Sequence, residues 1–326
     1  MVIRLTGIGV GLLLVLALLG ASIALGKQAI PLSEVYRSFV HFDGSREHLI
    51  VQTVRIPRAL IAMAVGACLS MAGAIMQAVT RNGLAGPELF GVNQGAAFLI
   101  VIQLYLVGSL SGSQSIAYAF IGAGAAGALV YMMGTIGSSG LTPLKLILAG
   151  STINLLLGAL TQGILVFDEQ SLDTMRFWLA GSLTGRSSAV LEQAAPFMIA
   201  GVVIALTMGR QINLLSLGEE TAQGLGLRNG WVKGLALVAV ILLAGSSVAL
   251  AGPIGFVGLA VPHVTRYLVG QDYRWVLPYA AIFGAILLLL ADIAARFVIP
   301  SQEISAGVIT ALLGAPFLIY LAQRRE

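Results

Sequence analysis

Apolar runs about as long as a bilayer is thick recur along nearly the whole chain, and they constrain it more than any other feature. A helix crosses the hydrocarbon core in about 20 apolar residues. Runs of that kind, separated by charged, Gly, Pro or Asn clusters, lie at approximately 5–25, 57–80, 90–108, 114–134, 144–167, 190–209, 231–250, 256–269, 275–297 and 306–323. They predict an all-α integral membrane protein of about ten transmembrane helices, one transmembrane domain over 1–326 with no room for a soluble domain. The run at 256–269 is short and carries Pro262, His263 and Arg266, so it is expected to be tilted, broken or partly inserted. The first run follows Arg4 like a signal peptide, but it is long enough to span and reads as a retained first helix.

Composition agrees. Hydrophobic residues make up 58% and charged residues 10%, against about 45–50% and about 25% in an ordinary globular domain. A net charge of +4 raises the question of nucleic acid. The basic residues are scattered between apolar runs with no aromatic-studded patch, so no nucleic-acid partner is expected. Lipid is the expected surrounding. Cys68 is the single cysteine, which rules out an internal disulfide.

An even number of spans places both termini on one side. That side holds Arg4, Arg81, Lys145, Arg210, Arg228, Lys233, Arg266, Arg274, Arg324 and Arg325; the other holds Lys27, Arg37, Arg46, Arg55, Arg58, Arg176, Arg186 and Arg296. Ten basic residues against eight make the first side cytoplasmic by a narrow margin. Ala62, Gly66, Ser70, Ala74 and Ala78 recur every four residues and form a small-residue face for close helix packing.

Few residues are candidates for chemistry. Gly20 to Lys27 imitates a phosphate loop, but it has five residues between its glycines instead of four, and Gln28 replaces the magnesium-binding hydroxyl. In Arg55-Ile-Pro-Arg58, Pro57 suits a first helical turn, and the arginines read either as snorkelling anchors or as a dock for an acidic partner. Asp292 and Arg296 are four apart and share a helix face, as an ion pair or as a functional intramembrane pair. The segment from Leu214 to Arg228 is too polar to span, yet leucine-rich. Gly218, Gly224 and Gly226 break it into short helices, which lie on the membrane or fit a partner. Arg81 to Pro87 is a Gly- and Pro-rich turn. His263 reads as a hydrogen-bonded structural residue or as a ligand to haem or iron. Met63, Met71, Met76, Phe98 and Tyr118 are candidates to line a wide path.

These motifs stand in a familiar order. Arg55-Ile-Pro-Arg58 is followed by Gln77, Arg81-Asn-Gly-Leu-Ala-Gly-Pro87, Gly91-Val92, Leu148-Ala-Gly150 and Trp178-Leu-Ala-Gly-Ser-Leu183. Leu215-Ser-Leu-Gly-Glu219, Ala251-Gly-Pro-Ile-Gly-Phe-Val-Gly-Leu-Ala-Val-Pro-His263, Ala291-Asp-Ile-Ala-Ala-Arg296 and Gly314-Ala-Pro-Phe317 complete the series. Over nearly its whole length the chain resembles the FecCD-type permeases of importers for iron-siderophores, haem and vitamin B12. The resemblance implies a type II ABC importer permease fold in a bacterial cytoplasmic membrane, with both termini cytoplasmic. It implies an iron(III)-siderophore as substrate, with haem or vitamin B12 as alternatives. It also implies a second permease subunit, two ATP-binding subunits that carry ATP and Mg, and an extracytoplasmic substrate-binding protein. No cofactor or metal is expected on this chain, and no covalent chemistry.

By the same resemblance, Arg55, Arg58 and Arg296 match arginines that grip glutamates on the binding protein, at an exposed rim. Residues 213–229 match the coupling helices that sit in a cleft of the ATPase, through Leu215, Leu217, Gly218, Glu219, Glu220, Ala222, Leu225 and Gly226. Asn82 and Leu84 match one cytoplasmic gate, and Thr142 with Leu144 a second. The family usually has Asn-Pro where this chain has Asn82-Gly83, which implies a more mobile gate loop. Two other classes compete. A gradient-driven transporter would use Asp292 and His263 as proton carriers, and an intramembrane enzyme would need a nucleophile–base pair that the sequence does not offer.

Overall fold

A computed structural model describes residues 2–108, 112–136, 142–299 and 303–323. Every described element is helical. In chain order the helices are α1 (Val2–Ala24), α2 (Leu32–Val40), α3 (Arg46–Ile50), α4 (Ile56–Thr80), α5 (Val92–Val107), α6 (Gly112–Thr135), α7 (Pro143–Phe167) and α8 (Glu169–Leu179). They continue with α9 (Ser188–Thr207), α10 (Gly209–Ser216), α11 (Glu219–Gly224), α12 (Asn229–Val240), α13 (Ser246–Ala251), α14 (Val257–Val269), α15 (Tyr273–Phe297) and α16 (Ala306–Gln323).

A helix stands at each of the ten expected runs. Seven are long and apolar enough to cross a membrane on their own, while α5 and α16 are shorter apolar helices. The 13-residue α14 is the broken span expected at 256–269. It starts after irregular backbone at Gly252–Phe256, where Phe256 holds a left-handed φ of 78°. A bulky side chain in that region costs about 1–3 kcal/mol and persists only when its surroundings hold it. The Phe256 ring lies across Gly314 of α16 and meets Phe317 edge-on at 6.1 Å.

One boundary differs from the sequence reading. Pro57 marks the first turn of α4, but the helical path does not begin there. Ser45 caps α3 through its hydroxyl, which accepts from the His48 N–H at 3.4 Å. From Arg46 the helix runs on to Thr80 through a π turn at Val51–Arg55. The wider turn absorbs the missing N–H and the ring of proline, which an unbroken α-helix would not tolerate.

α4 is the central post. Its small-residue face receives α15 so closely that a Cβ on Gly66 would lie 2.2 Å from the Gly284 carbonyl oxygen. One turn on, Ser70 Oγ donates to the Ala280 carbonyl at 2.6 Å. α5 and α6 meet in the same manner at Gly95 and Gly122. In lipid, contact of this kind replaces the hydrophobic effect as the force between helices. α1 is peripheral, with only 22% of its spanning window buried.

Candidate functional site

At one end of the bundle, Arg55 and Arg58, three residues apart, meet Arg296 from the far end of the chain. Arg55, in the π turn, donates from Nη1 to the carbonyls of Ile23 at 3.0 Å and Ala24 at 2.7 Å, and from Nη2 to that of Gln28. Arg296, near the end of α15, donates from Nη1 to the carbonyls of Ser22 at 2.6 Å and Leu25 at 2.7 Å. Two guanidiniums therefore cap the last turn of α1, whose carbonyls lack helical partners and carry the negative end of the helix dipole. Asp292 closes the cluster. It accepts from Arg296 Nη2 and from Arg58 Nε at 2.8 Å. Arg58 Nη1 reaches Glu303 Oε2 at 2.7 Å, and Thr184 Oγ1 lies 3.4 Å from the same oxygen.

The expected Asp292–Arg296 pair is present, with Arg58 as a third member. The expected exposed rim is corrected: Arg55, Arg58 and Arg296 are all buried, and their donors are turned inward. A buried guanidinium without partners is too costly to keep, so the fold supplies α1 carbonyls and two carboxylates. Glu303 is the one partly exposed member. Burial works to raise its carboxyl; the hydrogen bond and charge of Arg58, with Lys27 and Arg296 nearby, bring it below the usual glutamate range.

The polar segment 213–229 lies at the opposite end. α10 and α11 are separated by Gly218, at φ 111°, and Gly226 follows at φ 84°. Both are conformations only glycine adopts freely. Leu215 and Ala222 turn inward and are buried, whereas Leu217 is 63% and Leu225 60% exposed. Glu220 and Gly226 are exposed; the Glu219 side chain lies outside the described residues, as do Arg324 and Arg325. Asn213 pins the segment to α15. Its Nδ2 donates to Asp272 Oδ1 and its Oδ1 accepts from the Tyr273 N–H, both at 2.7 Å. Hydrogen bonds from Arg274, then from Asn213, hold the Asp272 carboxyl far below its usual range against a smaller upward push from burial.

The expected gate residues Asn82 and Leu84 follow α4 at this same end. Asn82 Oδ1 accepts from the Leu84 N–H at 3.0 Å and fixes the turn, while Leu84 is exposed. The left-handed residue here is Arg81, at φ 50°. A Cβ on Gly218 would lie 3.7 Å from Arg81 Nη1, so the turn after α4 touches the break between α10 and α11. No residue pattern signals that contact in advance. Thr142 caps α7 by accepting from the Lys145 N–H at 3.4 Å, and Leu144 is exposed. α7 then seats on the short turn Pro87–Phe90, with the Leu89 carbonyl occupying the space of a Gly150 side chain.

Other candidates fall elsewhere. Met71 and Met76 are buried in the core of α4 and do not line a path in this structure. Tyr118 is exposed, and Met63 and Phe98 are half-buried. His263 meets Phe317 edge-on at 6.0 Å. Among the described residues no group of three or more His, Cys, Asp or Glu is arranged to hold a metal ion.

The model of the FecCD transport family matches residues 12–324. This chain belongs to that family. A FecCD chain is a transport permease subunit rather than an enzyme. The chain is 46% identical over 304 residues to the Bacillus subtilis "Probable siderophore transport system permease protein YfiZ", covering 93% of this chain and 91% of the relative. It is 42% identical over 317 residues to the ferric enterobactin permease FepD of Escherichia coli, covering 97% and 94%. It is also 38% identical over 279 residues to the hemin permease HmuU of Yersinia pestis, covering 84% and 83%. A solved "inward-facing conformation" of a "metal-chelate type ABC transporter" superposes with a TM-score of 0.85 at 28% identity, covering 98% of this chain and 99% of that one. These likenesses place the FecCD chain among ABC importer permeases, as a multi-pass membrane protein.

Proposed function

We propose that the chain is one of two permease subunits of an ATP-driven importer that moves an iron(III)-siderophore across a bacterial cytoplasmic membrane. The observation that carries the substrate class is the set of relatives spanning more than nine-tenths of the chain. Their names refer to siderophore, Fe(3+)-citrate, ferric enterobactin and Fe(3+)-hydroxamate transport. Haem is the second reading, favoured by the hemin permease at 38% identity.

In this reading the arginine end faces outward and both termini are cytoplasmic. A loaded substrate-binding protein docks at the arginine end. Arg55 and Arg296 already bond to α1, so an incoming acid reaches the cluster at its exposed edge, by exchange with Glu303 on Arg58. Such a contact orients docking more than it adds affinity. ATP and Mg act on two partner ATPase subunits. Their closure moves residues 213–229, chiefly through Leu217, Leu225 and Glu220, which point away from the bundle. The motion passes to Arg81 and to the gates at Asn82 and Leu84 and at Thr142 and Leu144, which open the path alternately.

The test is ATPase activity in lipid nanodiscs containing the permease pair and its ATPase, with binding protein and ferric siderophore, ferric citrate or hemin added in turn. Stimulation by a ferric siderophore, reduced at least tenfold in Arg58→Glu, supports substrate class and docking together. Stimulation by hemin alone replaces the substrate reading. Full stimulation in Arg58→Glu removes that arginine from docking.

A further inference from the structure

α2 is amphipathic the wrong way round for a helix in water. Leu32, Tyr36, Phe39 and Val40 are 72%, 69%, 61% and 51% exposed. At about 100° per residue they fall within one third of the helix circumference. Two of its polar residues, Glu34 and Ser38, face the protein instead. Ser38 is fully buried, and its carbonyl accepts from Gln52 Nε2 at 2.7 Å. Glu34 Oε2 lies 3.3 Å from Nε2 of the buried His48, and its other oxygen binds Arg37 at 2.9 Å. His48 Nδ1 is in turn 2.8 Å from Asp43. These contacts tie the inner face of α2 to α3 and the π turn, so the apolar stripe cannot roll inward.

A fixed apolar face needs an apolar surrounding. Its occupant is indicated by position. α2 follows α1 after a short connection and packs against α1, α3 and the π turn. α1 is the least buried of the long spans, with Leu12, Leu13 and Leu16 at least half exposed along its length. The stripe of α2 therefore continues a lipid-facing surface at the level where α1 ends. Tyr is enriched at that level of a membrane, and Phe and Leu on the buried face of interfacial helices; Tyr36, Phe39 and the exposed Phe42 match these. Arg37, 65% exposed and paired through Nη1 with Glu34, flanks the stripe on the side of the phosphate headgroups.

We propose that α2 is an interfacial anchor that lies in the headgroup–acyl boundary of the leaflet at the arginine end. Its Leu32–Tyr36–Phe39–Val40 face is sunk into lipid. It holds the end of α1, and with it the Arg55–Arg296 cap, at a fixed depth. This inference rests on the membrane-spanning fold and not on the substrate reading.

The test uses nitroxide labels on single cysteines in a Cys68→Ala background, with the permease and its ATPase in phosphatidylethanolamine–phosphatidylglycerol liposomes. Labels at Tyr36→Cys and Phe39→Cys should collide with oxygen severalfold more, relative to a water-soluble nickel chelate, than a label at Arg37→Cys. Phe39→Trp should also be quenched by lipids brominated near the headgroup, a second reading that needs no label. Labels at 36 and 39 as open to nickel as the one at 37 would overturn the proposal. So would protection that arises only when the binding protein is added, which would assign the face to that protein. Protection in detergent micelles only when a second permease copy is bound would assign it to the subunit interface and equally overturn it.

Discussion

Asp292→Asn tests the arginine cluster most directly, because it keeps the size and shape of the side chain and removes one charge. In the native chain the fully buried carboxylate accepts from Arg58 at 2.8 and 3.2 Å and from Arg296. An amide can accept from one arginine, but then turns its own N–H groups toward the other. Among the described residues of the cluster Glu303 is left as the anion, and of the three arginines it bonds to Arg58 alone. Breaking one side of a buried pair costs about 3–5 kcal/mol. The unfolding entropy of a chain of 326 residues is about 0.7 kcal/mol/K by per-residue scaling, so the midpoint should fall by about 4–7 °C. Cys68 supplies the readout: it is the sole cysteine, it is buried in α4, and a thiol-reactive fluorophore would label it as the bundle opens. Glu303→Gln removes a partly exposed partner and should cost about 1 kcal/mol, or roughly 1–2 °C. An Asp292→Asn midpoint within about 1 °C of the native chain, or a larger loss in Glu303→Gln, would refute the account of the cluster as a buried charge balance.

Three further outcomes are expected. Gly66→Val should prevent a monodisperse bundle on size-exclusion chromatography, because its Cβ would sit 2.2 Å from the Gly284 carbonyl oxygen and overpacking of a tight contact costs about 1–3 kcal/mol or more. Leu217→Asp with Leu225→Asp should leave the midpoint within about 1–2 °C and abolish co-purification of the ATPase, whereas Leu215→Asp, at a buried position, should lose the fold; retained co-purification in the double variant would remove those leucines from coupling. The carboxyls of Asp272 and Glu303 are held below their usual values. Their stabilisation is therefore complete above the unfolded-state values of about 4 and fades only as pH falls through the lower folded values. The midpoint should not respond to these two groups between pH 5 and 8; a drop in that window that Asp272→Asn or Glu303→Gln removed would contradict the assignment.

The spans were legible because lipid leaves little choice: backbone groups must be bonded within a helix, and the helix needs a set length of apolar residues. The small-residue face of α4 and the glycine breaks at 218 and 226 were legible for similar local reasons. The Asp292–Arg296 pair followed from a spacing of four. The burial of the arginines was not legible, because their partners are carbonyls at 22–28 and a glutamate 245 residues from Arg58, and sequence separation hides both. Nor was the helix through Pro57, since a π turn has no residue signature. α2 and α8 escaped because they are too short and too polar to register as spans. α2 in particular looks like a loop until Glu34 and Ser38 are seen to face the protein.

Among the long helices, one tightly packed pair carries contacts at both ends of the molecule. α4 carries Arg58 near one end and runs into Arg81 beside Gly218 at the other. α15 carries Asp292 and Arg296 near its end and starts at Tyr273, where Asn213 is bound. Both are 25 residues long, about 37 Å at 1.5 Å per residue. Gly66 against Gly284 and Ser70 on the Ala280 carbonyl lock them side by side. Such a pair bends little, so under the proposed coupling a push on residues 213–229 would reach the arginine end as movement of a strut. The give must lie elsewhere. Two breaks flank that strut on the α12–α14 side: the π turn at Ile241–Gly245, which packs against α4, and the irregular Gly252–Phe256, with Phe256 at its strained φ. Distances between spin labels on α4 and α15 should therefore stay constant through the ATP cycle while those from α15 to α13 change. Unequal movement within the α4–α15 pair would show that the transmission runs by another route.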